Sequence, residues 1–203
     1  MHELTDRELY QSLEYAKGID EETGRKIIER FELDQTALAQ MIFGIFPDVI
    51  AAENQEMSYL FMDLCFDVLC VFQKAFGPLP SQNDMDYDWL EKQAVLLDAE
   101  LQSLIKDKHM DSKIRSKLQD RFVSRVIKDN PQMGLVDFMN ATIDDFASEN
   151  TSCVSAIKTT QTMIFIVIKL FSNLYNQINK LVWYDLISYY INHDEHRGPT
   201  LNG

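Results

Sequence analysis

NQEMSYLFMDLCFDVLCVFQKAFGPLP, residues 54 to 80, decides the fold. After Asn54, whose short amide side chain suits an N-cap, neither proline nor glycine occurs until Gly77. The stretch therefore reads as one long helix. It must stop at Gly77, Pro78, Leu79 and Pro80, where prolines lack the amide donor and restrict the preceding residue. At about 100° per residue, Glu56, Asp63, Asp67, Cys70 and Lys74 share one narrow strip, and most of the remaining circumference is apolar. A helix apolar on most sides is stable only when other helices surround it. The stretch thus predicts an all-α protein with residues 54 to 76 near its centre.

Upstream, Thr5 and Glu8 form a capping-box pattern opening a helix over 6 to 17. Asp20 is expected to cap a second helix reaching Phe31, and Asp34 a third reaching Phe43, with Gly44 and Pro47 breaking the run. Downstream, helices are expected over 84 to 106, from Asp111 to the Asn130 and Pro131 stop, and over 133 to 148. From Ser152 to Ile191 a helical pattern runs without proline or glycine, as one helix or two. Its MIFIVI segment is β-branched, but no alternating partner strand lies nearby. The expectation is a single helical bundle of seven or eight helices. It divides into a short-helix cap over 1 to 53, a long-helix body over 54 to 191 and a flexible tail over 192 to 203.

With 203 residues, 46% hydrophobic and 25% charged, the chain can bury a substantial core, and 7 Gly with 5 Pro fit long helices better than a sandwich or barrel. Cys65, Cys70 and Cys153 have no CxxC spacing and are odd in number, so they read as reduced core residues. The opening MHELTDRELY lacks a basic and apolar leader, and the strongest apolar run, Met163 to Phe171, is interrupted by Lys169. That run is far short of the roughly 20 residues that cross a bilayer. A cytoplasmic protein without a membrane span is expected.

Charge is segregated along the chain. No lysine or arginine lies between Phe31 and Gln73, whereas Lys106 to Lys128 sets eight basic residues against three acidic ones. The rest of the chain keeps 11 basic and 29 acidic residues, a net of -18 within a total of -13. So acidic a surface repels phosphate backbones, making nucleic acid and anionic membranes poor partners. Within the basic segment Lys113, Lys117, Arg121 and Arg125 follow in i, i+4 steps, with Lys128 on the same side. The three adjacent like-charge pairs cost a helix about 0.2 to 0.5 kcal/mol each. An acidic counterpart is expected, either this protein's own helices or a partner surface, and arginine favours bidentate contact with either.

Leu33, Gln35, Leu38, Ala39, Gly44 and Ile45 resemble, with one extra residue, the helix-turn-helix of phage-repressor-type regulators. That resemblance implies a recognition helix after Gly44. However, FPDVIAAENQE supplies acids and no cation for bases or phosphates, so a degenerate regulator ranks third among the readings. Asp63 and Asp67 on the central helix, with Asp144 and Asp145 on the helix over 133 to 148, carry the second reading. Were these helices to face each other, they would offer oxygen ligands to Mg²⁺ or Mn²⁺ for hydrolytic or phosphoryl chemistry. His193 and His196 make at most a loose transition-metal site in the tail. No GxSxG elbow, P-loop, dinucleotide fingerprint or HExxH occurs.

The leading expectation is a non-catalytic, cofactor-free interaction module of adaptor, inhibitor or immunity type. Its partner is another protein or a second copy bound through the aromatic C-terminal helix around Trp183, Tyr184, Tyr189 and Tyr190. Reversing the stripe with Lys117→Glu and Arg121→Glu should lower the melting temperature of the isolated protein if the pairing is internal. It should strip a copurifying partner if the stripe is an interface. An unchanged melt together with unchanged copurification would exclude both.

Overall fold

A computed structural model describes residues 1–79, 81 and 132–194, with side chains described as far as Asn176. Among these residues there is helix and no strand, and the all-α class expected from the sequence holds. The chain forms α1 (Asp6–Lys17), α2 (Glu21–Asp34), α3 (Thr36–Gln40), a π-helical turn (Met41–Ile45) and α4 (Phe46–Ala51). There follow α5 (Gln55–Phe76), α6 (Met133–Glu149), a 3₁₀ turn (Thr151–Ala156) and α7 (Ile157–Asp194). The helices expected over 84 to 106 and from Asp111, with the basic stripe Lys113, Lys117, Arg121, Arg125 and Lys128, lie outside the described residues.

Local chemistry explains most boundaries. The Thr5 hydroxyl accepts from the Glu8 amide while the Glu8 carboxylate accepts from the Thr5 amide, closing the capping box at α1. Asp20 caps α2 through the Thr23 amide at 2.9 Å, and Asn54 caps α5 through the Met57 amide at 2.8 Å. Helix α5 ends at Gly77, whose φ of 91° is one that L side chains rarely adopt.

Two expected boundaries are corrected. Asp34 does not cap α3: it ends α2, accepts from Arg30 at 2.5 Å, and leaves Gln35 at the junction with no side-chain cap. Gly44 and Pro47 do not break the third helix either. The Phe46 amide reaches the Met41 carbonyl five residues back, and this wider turn carries the helix on to Ala51. Pro47 falls in the first turn of α4, where its missing donor needs no acceptor. The sharp turn that a helix-turn-helix would place at Gly44 is therefore absent.

Helix α5 packs chiefly on α1, α4 and α7, and α6 chiefly on α7. One continuous apolar core runs from Leu4 to Tyr175. At its centre Phe72 stacks on Phe171 at 5.4 Å and on Tyr175 at 5.7 Å between ring centroids. Phe31 of α2 joins against Phe171, and Phe76 against both Phe72 and Tyr175. Offset aromatic contacts of this kind add roughly 0.5 to 1.5 kcal/mol each beyond area burial. The window Thr151–Asn176 is long and apolar enough to cross a membrane, with mean hydropathy 1.4, but 61% of it is buried inside the protein. That burial matches a core helix.

The N-terminal segment is tied down across the chain. Gln132, 2% exposed, accepts from the Leu4 amide and donates to the His2 carbonyl, both at 2.7 Å. Glu3 accepts from the Met133 amide at 2.9 Å, supplying the first turn of α6 with a carboxylate that its own sequence lacks. Phe72→Ala should cost about 3 to 5 kcal/mol, because it opens a cavity where α5 and α7 meet. Urea denaturation measures this, and a loss below about 1 kcal/mol would show that the stack is not central.

Candidate functional site

The polar strip of α5 is not uniform. Asp63 is exposed, Asp67 half-buried and Cys70 fully buried. Helix α1 accounts for the difference: it packs on α5, bringing Lys17 within electrostatic reach of Asp67 and laying Tyr15 under Lys74, whose Nζ sits 5.0 Å from the ring centroid. Burial pushes the Asp67 carboxyl above its ordinary 3.8; Lys17 offsets part of that and the Asp63 charge adds to it. Burial, reinforced by the Asp67 charge, also pushes the Cys70 thiol up to about 12. The thiol stays protonated and is a poor nucleophile. All three cysteines are free and buried.

Between the exposed half of α5 and the C-terminal end of α6 lies an open groove of about 500 Å³. Glu56, Tyr59, Leu60 and Asp63 line one wall, and Phe146, Glu149 and Asn150 the other. Contacts along the two helices step in opposite directions. Asn150 donates to Glu56 at one end, while Lys17, which senses Asp67, lies over the Phe138 ring at 5.8 Å at the other. The helices thus flank the groove antiparallel. Its lower end is closed by a polar knot in which Asn54 both caps α5 and donates to the Ser152 carbonyl at 3.1 Å, with the Cys153 thiol donating to Asn54 at 3.5 Å. Tyr59 keeps 56% of its surface exposed in the folded chain. Among the described residues no lysine or arginine pairs with Glu56, Asp63 or Glu149.

The four aspartates singled out from the sequence are distributed as follows. Asp63 opens onto the groove, Asp67 turns toward α1, Asp144 accepts from Gln161 of α7 at 2.9 Å, and Asp145 is exposed. Among the described residues no three acidic, histidine or cysteine side chains are grouped to hold a metal ion. The His193 and Trp183 regions lie beyond the described side chains. Sequence reasoning missed Tyr59, Leu60, Phe146, Glu149 and Asn150. The α5 half was legible, since Tyr59 and Leu60 sit one turn from both Glu56 and Asp63; its pairing with the end of α6 was not.

Searches against protein-family models, curated proteins and solved structures found no match for this chain.

Asp67 generates a pH dependence. Because its folded-state pKa is raised, the native state holds the proton more tightly than the unfolded chain. Its contribution to stability therefore falls as pH rises from the ordinary carboxylate range through the raised value. Asp67→Asn should raise the melting temperature at pH 7, and the gain should shrink as the pH is lowered through the raised value and be largely gone below the ordinary carboxylate range. Paired thermal melts across that range check it; a gain that grows on acidification would reverse the sign.

Proposed function

We propose that this protein is a helical protein–protein interaction module of adaptor, inhibitor or immunity type, acting without catalysis or cofactor in the cytoplasm. The observation that carries the reading is the open groove between α5 and α6, where an exposed aromatic side chain and half-buried apolar ones lie among carboxylates that no described cation neutralises. Exposed apolar surface framed by charge is characteristic of recognition surfaces. The strong segregation of charge in the sequence adds a means of orienting a partner during encounter.

Within this reading the protein is a single bundle of seven or eight helices, with residues 1 to 53 as a cap on the 54 to 191 body and residues 192 to 203 as a tail. The stripe Lys113, Lys117, Arg121, Arg125 and Lys128 takes an acidic counterpart, and a second copy associates through the C-terminal helix. Light scattering should give about twice the 23.6 kDa of one chain. Mg²⁺ or Mn²⁺ should leave the melting temperature unchanged. A metal-induced rise that Asp63→Asn abolishes would replace this reading with the metal-dependent one.

A further inference from the structure

Resting on the interaction reading, we propose that the α5/α6 groove binds a cationic amphipathic helix presented by a partner protein. The shape comes first. Two antiparallel helices that leave an open channel between them present ridges and a trough, into which a third helix can pack. The floor supplies apolar contact through Leu60 and Phe146, both half-buried, and through the exposed face of Tyr59. An apolar stripe of leucine or isoleucine would cover it, as amphipathic helices do in other hydrophobic grooves.

Charge then selects among helices. Glu56 and Asp63 stand seven residues apart on α5, about 10.5 Å at 1.5 Å per residue, and Glu149 faces them from α6. A helix aligned with α5 and carrying Lys or Arg at i and i+7 places its cations at the same interval. Their aliphatic stems lie on the floor and their charged heads reach the rim. The exposed Tyr59 ring between the two carboxylates offers a cation its face as well. An acidic or neutral helix would gain the apolar contact but bring no charge to neutralise these carboxylates. The cation-free run from Phe31 to Gln73 includes the whole groove-facing wall of α5, so no basic residue of that wall competes for the rim.

The test is fluorescence anisotropy with the full chain and a labelled synthetic peptide of about 18 residues, some 27 Å when helical, built from Leu, Lys and Arg with cations at i and i+7. Binding in the micromolar range is expected. The combined Asp63→Asn and Glu149→Gln variant should weaken it at least about tenfold, and Tyr59→Ala should weaken it separately. These side chains lie at the surface, and melting curves establish that the variants fold. The proposal is overturned if the peptide does not bind, or if the variants bind it equally well. It is overturned also if a scrambled peptide of the same composition binds as tightly, since that is only attraction to an acidic protein. Binding that appears only after Lys117→Glu and Arg121→Glu would overturn it too, because the groove's partner would then lie in this chain. An uncharged amphipathic peptide binding as well as the cationic one would leave an apolar site without charge selection and likewise end the proposal. The broader interaction reading fails on a different result: no partner captured by the full chain under any condition. Partner capture undiminished by the groove variants would end only the present proposal.

Discussion

The stack of Phe72 between Phe171 and Tyr175 is the contact on which the rest of the structure depends. It fixes α5 against α7, and α1, α4, α6 and the π-helical and 3₁₀ turns each pack on one or both of them. Phe31 reaches the same cluster from α2, and His2 meets Phe76 edge-on at 5.5 Å, bringing in the N-terminal segment. The Tyr175 hydroxyl donates to the Gly77 carbonyl at 2.7 Å, so the end of α5 is held by the same residue that packs its last turns. Buried in an apolar cluster, that hydroxyl has its pKa pushed well above the ordinary phenol range and remains a donor. Aromatic packing and backbone satisfaction are met by one side chain.

Because the aromatic cluster occupies the C-terminal half of α5, the two halves of this helix have different surroundings. The later half is enclosed by α1 and α7, which is why Asp67 and Cys70 lose solvent although they share a strip with exposed Asp63. The earlier half meets the end of α6 through the Asn150–Glu56 hydrogen bond, while further along Lys17 of α1 reaches both Asp67 and the Phe138 ring of α6, and the groove lies open between these contacts. Desolvating a carboxylate costs free energy unless a cation or donors compensate. The chain keeps Glu56, Asp63 and Glu149 in solvent and offsets Asp67 only partly with Lys17. A cationic segment entering the groove would bring the neutralising charge that this wall lacks.

Helix type and most helix ends were legible because they are set by interactions within a few residues. Thr5 with Glu8, Asp20 with Thr23 and Asn54 with Met57 make their caps locally, and Gly77 with Pro78 forbids continuation. Where the reading failed, a local rule was overridden. Pro47 signals a break, yet one wider π-helical turn positions it at the start of α4, where no donor is required, so the helix persists. Helix α6 shows the converse, since its first-turn amides are served by Glu3, some 130 positions away in sequence.

The sequence by itself determined the helical class, the central place of residues 55 to 76, the buried state of the cysteines and the uneven distribution of charge. These follow from periodicity, capping and composition, which act over one or two turns. Only the tertiary structure decided which faces meet. It separated Asp63 from Asp67 by covering one and not the other, turned Asp144 toward Gln161, and set Tyr59 opposite Phe146 and Glu149 across a groove. The physical reason is that burial and proximity depend on how helices pack. A polar position on a helical wheel has no environment until its neighbours are placed.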